Sequence, residues 1–203
     1  MDANIINNRE NKKTLSQNES MKLFILIGLS SDAKKSEEEK ACLQKFINLC
    51  MKNGKKNNSY KFLFNTLQQL SSSQQFLNAV HNSPKNFQQK SEMEKVFSFF
   101  VRAIDNVKPM IEVRKVRISG TTQLVPSIIP KNRQLGLGIR WIIQAAIARR
   151  AGAKKNVSLE QCFFAEIMDA SQRIGTVKKR RDDLHKLAET NRGFAHYRWW
   201  RLA

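Results

Sequence analysis

Between Met110 and Ile129 the spacing of apolar residues changes from the three-and-four step of a helix to the alternation of a strand, then changes back. Ile111, Val113, Val116, Ile118, Leu124, Val125, Ile128 and Ile129 flank the dipeptide Ser119-Gly120. β-Branched residues on both sides of a two-residue turn with Gly specify a β-hairpin. The alternation shifts phase between Val113 and Val116, which predicts a bulge near Arg114-Lys115. Pro126 and Pro130 lack an amide proton and suit edge positions, so residues 110–129 are expected to form a two-stranded arm rather than part of a larger sheet. Two strands alone are marginal in water, so the arm needs a surface to lean on.

Everything around the arm has helical period. Ser36 and Glu39 have capping-box spacing, and Leu43, Phe46, Ile47 and Cys50 follow on one face, with Asn53-Gly54 as the stop. A second helix is expected from about Asn58 to Leu70, with Tyr60, Leu63, Phe64, Leu67 and Leu70 inward. Ser91 and Glu94 repeat the capping box before Met93, Val96, Phe97, Phe100 and Ile104, and Pro109 ends that helix. After Pro130, Leu135, Ile139, Ile142 and Ala146 mark a helix over about 131–150. Gly136 and Gly138 within it each cost about 1 kcal/mol relative to Ala, which points to close packing there. Ser158 and Gln161 open the fifth helix, carrying Leu159, Phe163, Ile167 and Ala170, with Gly175 expected to close it. The sixth runs from about Val177 to Asn191 with Leu184, Leu187 and Ala188 inward. Residues 1–35 are Asn- and Lys-rich without sustained period and read as a mobile extension, with a short terminal element around Leu23–Leu29 as the alternative. Residues 71–91 read as a flexible loop around Pro84. The expected fold is mostly α: six helices and a hairpin arm, with residues 36–203 as a single domain.

Charge narrows the partner. The 203 residues carry 36 Lys plus Arg against 17 Asp plus Glu, a net +19. Residues 1–107 hold 16 basic and 10 acidic side chains, a net of +6; residues 108–203 hold 20 and 7, a net of +13. Such an excess self-repels unless an anion offsets it, and nucleic acid is the first candidate, an anionic membrane surface the second. Lys178-Lys179-Arg180-Arg181 opens the sixth helix, where the macrodipole is already positive and cations are misplaced. At 100° per residue Lys178, Arg181, His185 and Arg192 fall along one stripe, an arrangement suited to a run of phosphates. Asp182 and Asp183 offset part of that charge through i, i+4 pairs to Lys178, Lys179 and Lys186. Arg114, Lys115 and Arg117 sit on the arm, where they can meet a groove or simply protect a strand edge. Arg133 and Arg140 share one side of the fourth helix with Lys131 at its start, and Arg149, Arg150, Lys154 and Lys155 cluster at its end. Lys55 and Lys56 follow Gly54. In Phe194-Ala195-His196-Tyr197-Arg198-Trp199-Trp200-Arg201 aromatics alternate with cations, which permits base stacking beside phosphate contact or, equally, anchoring of the tail by Phe194, Tyr197 and Trp199.

Other classes find little support. Cys42, Cys50 and Cys162 have neither disulfide-framework nor metal-ligand spacing, so no metal or other cofactor is expected. Leu23–Leu29 is about a third of a bilayer span and lacks the flanks of a signal peptide. His81, His185 and His196 stand in unrelated contexts, and no nucleophile elbow, phosphate-binding glycine loop or zinc-protease motif is present, so catalysis is not expected.

Residues 175–199 read GTVKKRRDDLHKLAETNRGFAHYRW, which closely resembles the C-terminal signature of small-subunit ribosomal protein seven. IEVRKVRISGTTQLVPSIIP resembles the family's hairpin, RQLGLGIRWIIQAA its following helix, and FINLCMKNGKK the loop and basic pair after its first helix. The resemblance covers about residues 40–199. It implies a six-helix bundle with a protruding β-ribbon, and binding to the 3′ major (head) domain of small-subunit rRNA. It also implies a part in head assembly, beside the exit-site tRNA, the mRNA path and neighbouring head and platform proteins. By the same resemblance Arg114, Lys115 and Arg117 belong to the ribbon. Lys55, Lys56, Arg140, Lys178, Lys179, Arg180, His196, Arg198 and Trp199 match positions expected at or near RNA. The family's basic N-terminal arm is not recognisable in residues 1–35, and residues 71–91 lengthen one loop. The bias toward Asn, Lys, Ile and Phe fits AT-rich coding, which favours a mitochondrially encoded protein, with plastid or bacterial cytoplasm as alternatives. Two rivals share parts of the pattern: a generic basic DNA- or RNA-binding architectural protein and a basic membrane-surface protein.

Overall fold

A computed structural model describes residues 33–74, 76, 92–118, 120–153 and 157–201, with backbone alone at 33–39, 92–93 and 198–201. Helices α1 (Ala33–Cys50), α2 (Lys56–Ser71) and α3 (Glu92–Val107) lead to strands β1 (Ile111–Ile118) and β2 (Thr121–Ile128). Helices α4 (Lys131–Gly152), α5 (Leu159–Ser171) and α6 (Thr176–Thr190) follow, then a 3-10 helix over Arg192–Arg201. The order and type of the expected elements are as read from the apolar spacing. The chain divides into two compact units, Met1–Phe99 and Phe100–Ala203, and α3 runs across the division.

In the first unit α1 packs on α2, burying Leu43, Phe46 and Ile47 from one and Leu63, Leu67 and Leu70 from the other. Phe46 and Phe62 stack at 6.4 Å between centroids. Helix α1 starts at Ala33, so Ser36 is an interior helix residue and not its N-cap, and residues 33–35 are helical rather than part of an extension. The stop is as expected in kind: Asn53 and Gly54 both have positive φ, 52° and 72°. Cys50 is half-buried and its thiol is pushed up to about 11 by desolvation, which keeps it unreactive at neutral pH. Phe76, inside the segment read as loop, is buried and meets Phe99 edge-to-face at 5.3 Å. Residues 71–74 of that segment are described, and the helix runs one residue into it, to Ser71; residues 75 and 77–91, Ser91 included, and Leu23–Leu29 lie outside the described residues.

In the second unit the hairpin register is regular from Ile111↔Ile128 to Ile118↔Thr121, so the expected bulge is absent. Period two places Glu112, Arg114, Val116 and Ile118 on one face and Ile111, Val113, Lys115 and Arg117 on the other. The apparent phase slip arises because Glu112 occupies a buried position on the Val116 face, its charge paired rather than replaced by an apolar group. The arm has the support it requires: β1 lies against α6 and β2 against the 3-10 helix. Gly120 supplies the positive φ of the turn, 84°.

Helix α4 packs on α5 and α6. Phe100, Ile104, Ile139, Ile142, Phe163 and Ile167 are the centre of this unit's core, each at most 1% exposed. Ser158 forms both bonds of the expected capping box with Gln161. Gly175 opens α6 rather than closing α5, which ends at Ser171. Leu187, expected inward, is 44% exposed; Val177 and Ala188 are the buried positions of α6.

The glycines of this unit divide by what a methyl group would meet. At Gly175 φ is +95° and a Cβ would lie 3.2 Å from Cβ of Asp169. Gly175→Ala is expected to destabilise by about 1–2 kcal/mol. At Gly138 the nearest atoms, on Lys108, would be an ordinary 3.5 Å away, so the packing is close but leaves room. Gly138→Ala should gain up to about 1 kcal/mol of helix propensity. Urea denaturation of both variants gives opposite signs on this account.

Candidate RNA-binding surface

Of the stripe expected from α6, Lys178, Arg181 and His185 lie on that helix and Arg192 falls beyond its end in the 3-10 helix, and the protein itself occupies much of what remains. Lys178 pairs with Asp182. Arg181 donates from Nη1 to the carbonyl of Asn106 in the last turn of α3, and its Nε lies 3.6 Å from Asp182 Oδ1, a charge contact too long for a hydrogen bond. His185 accepts at Nε2 from the backbone amide of Met110, 3.2 Å away, at the entrance to β1. Two of the four stripe members, Arg181 and His185, therefore face the junction of α3, α6 and the hairpin, while Lys178 is held within α6 by Asp182. The helix start tolerates Arg181 because a carbonyl at the negative end of α3 receives it.

Asn106, which carries no signal in the apolar spacing, is the centre of that junction. Its Nδ2 donates to the carbonyls of Ala170 and Ser171 at 3.2 Å each, capping α5, and its Oδ1 accepts from Arg173 Nε at 3.3 Å. One side chain thus satisfies carbonyls that a helix end leaves open.

The exposed cations of α6 are on its other side. Lys179 is exposed, with no ion pair among the described residues. Arg180 is exposed, lies over the Trp141 ring at 5.0 Å and donates to Gln144 Oε1 at 2.9 Å. Of the expected i, i+4 pairs from Asp182 and Asp183, Lys178–Asp182 is formed.

On the arm, Lys115 and Arg117 share one face and are exposed without ion pairs among the described residues, whereas Arg114 lies on the opposite face. Arg114 and Arg133 both bind Glu112, which desolvation pushes up but which these two arginines hold, on balance, below the usual carboxylate range. Lys131, Arg140 and Arg150 are exposed along α4. Arg149 instead clamps α4 to α5 through Glu166 and Asp169. Glu166 is buried, and the desolvation raises its pKa despite Arg149. Arg192 and His196 are exposed, His196 donating from Nδ1 to the Gly193 carbonyl at 2.7 Å. Phe194 stacks with Tyr197 at 6.3 Å. In the first unit Lys55 is exposed and Lys56 lies over the Tyr60 ring at 5.8 Å. Lys154 and Lys155, and the side chains of Arg198 and Trp199, lie outside the described residues. No group of His, Cys, Asp or Glu able to hold a metal ion occurs among the described residues.

His185 makes the junction sensitive to acid. Burial, then the charges of Arg181 and Lys178, depress its pKa below 6.5 against the opposing pull of Asp182. The unfolded chain therefore takes up the proton first, so stability falls as pH drops through about 6.5 toward the folded value. A protonated imidazole also has no lone pair for the Met110 amide. Melting temperature should fall between pH 7.5 and 5.5 by more in the native chain than in His185→Gln. The difference between the two isolates this group from Glu166, whose raised pKa acts with the opposite sign in its own window.

The family model described as Ribosomal protein S7p/S5e matches residues 20–192, beginning inside the segment read as an extension. A Marchantia polymorpha protein named small ribosomal subunit protein uS7m is 48% identical over 163 residues, covering 80% of this chain and 62% of that protein. The Arabidopsis thaliana protein of the same name is 38% identical over 80% of this chain and 96% of its own length. The uS7 protein of Petrotoga mobilis is 35% identical over 77% of this chain and 86% of its own. The hairpin seated on α6, the cation-rich α6 signature and this span of similarity coincide, and the chain belongs to the ribosomal protein S7 family of the small subunit.

Proposed function

We propose that this protein is a structural constituent of the small subunit of a mitochondrial ribosome and binds the 3′ major domain of its rRNA through residues 36–203. It helps assemble the head and borders the exit-site tRNA and mRNA path, next to other head and platform proteins. The role is one of binding, without catalysis. The observation that carries the reading is the family match over residues 20–192, which includes the arm and α6. The exposed cations Lys115, Arg117, Lys131, Arg140, Lys179 and Arg192 support it, because cations without acidic partners suit phosphates that release counterions on contact. Arg181 and His185 then act chiefly by holding α6 and the arm in place. The mitochondrial location follows the plant relatives named uS7m. No helix among the described residues is long and apolar enough to cross a membrane.

Tagged protein should sediment with mitochondrial small subunits and crosslink to their rRNA in the 3′ domain. In solution it should bind a 3′-domain transcript at submicromolar concentration, far more tightly than duplex DNA. Equal affinity for both at about 0.15 M salt would favour the generic nucleic-acid reading instead.

A further inference from the structure

We propose that Glu112 is a positioning residue that fixes Arg114 and Arg133 as a receptor for one phosphodiester group at the root of the hairpin. The proposal rests on the RNA-binding reading and names a specific contact within it. Glu112 is an anomaly on a cationic surface: a carboxylate whose side chain is only 12% exposed, between arginines that are 59% and 58% exposed. Each of its oxygens is taken by a different arginine. Oε1 accepts from Arg114 Nε at 2.8 Å and lies 2.7 Å from its Nη2; Oε2 accepts from Arg133 Nε at 2.9 Å.

This geometry leaves donors to spare. Arg133 spends its Nε edge on the carboxylate, and Arg114 its Nε and Nη2. Nη1 of Arg114 and both Nη groups of Arg133 have no partner among the described residues. A guanidinium presents five N–H donors in a fixed plane, so anchoring one edge orients the other. The carboxylate remains ionised because the two arginines outweigh its desolvation. The trio carries a net +1, matching the single charge of a phosphodiester.

The position of Arg133 points the same way. It lies in the first turn of α4, whose N-cap is Pro130, with no side-chain cap and no acid in that turn. Lys131 and Arg133 therefore stand at a positive helix end to which the helix itself brings no acid, Glu112 of β1 being the carboxylate that pairs with Arg133 there. Two flexible cations would otherwise lose rotamer freedom on meeting RNA, and tying both to a buried carboxylate pays that entropy in advance.

The test exploits opposite signs. Glu112→Gln removes a negative charge, so unspecific electrostatics alone predicts tighter RNA binding and a steeper salt dependence. Positioning predicts the reverse: binding of a 3′-domain rRNA transcript weakened about five- to tenfold, with log K against log salt flatter by about one unit. The same substitution in an Arg114→Ala/Arg133→Ala background should then cost nothing further. Unchanged or tighter binding by Glu112→Gln overturns the proposal. If that variant fails to fold by circular dichroism, Arg114→Lys/Arg133→Lys decides at constant charge. Binding weakened at least fivefold with the melting temperature retained supports the receptor, and unchanged binding overturns it. Failure of the native chain to bind the transcript in a salt-dependent way would instead overturn the RNA-binding reading.

Discussion

Replacing Lys115, Arg117, Arg140 and Lys179 together by alanine is expected to flatten log K against log salt by about three units and weaken rRNA binding on the order of a hundredfold or more. These four side chains are exposed and unpaired among the described residues, so their removal costs the fold little while deleting charges that displace counterions. Filter binding of a 3′-domain transcript from 50 to 300 mM salt, beside urea denaturation, separates the two effects. An unchanged slope with unchanged stability would mean that the surface they define does not touch phosphate.

Arg181→Ala is expected to do the opposite, lowering stability by about 2 kcal/mol with no change in salt slope. The guanidinium is a charged donor to the Asn106 carbonyl at a junction of four elements, and losing such a bond while leaving its partner unmet costs about 1.5–3 kcal/mol. A slope reduced by about one unit at unchanged stability would show that Arg181 faces RNA after all. The two experiments together separate a cation that holds the protein, Arg181, from exposed cations that meet its ligand, Lys179 among them.

That division marks the limit of what the amino-acid order conveys. Apolar spacing gave the helices and the hairpin because burial is periodic along an element: Leu43, Phe46 and Ile47, or Ile139, Ile142 and Ala146, can only be one face. Local hydrogen bonding was equally legible at Ser158–Gln161. Boundaries were less so, since Ser36 has capping spacing but α1 starts upstream at Ala33. The bulge failed for a related reason: a paired carboxylate at Glu112 takes a buried position that a hydropathy pattern assigns outward. For charges the helical wheel says which side chains share a face, not what that face meets. Arg181 and His185 do share one, and the Asn106 carbonyl and the Met110 amide meet it, whereas the Lys178–Asp182 pair follows from local spacing alone. Arg149 looks like a helix-end cation and is a clamp on Glu166 and Asp169. Partners that lie tens of residues away leave no trace in local spacing.

The Asn106 junction bears on how the chain is made. Its bonds join residues 64, 65, 67 and 75 positions apart, reaching Ala170, Ser171, Arg173 and Arg181. Closing loops of that length is entropically costly, so such contacts form late in folding. During synthesis α3 leaves the ribosome long before the segment that completes it. The Phe100–Ala203 unit therefore reaches its final packing only after Arg181 has emerged, and a nascent chain stalled short of that residue leaves the Asn106 joint open.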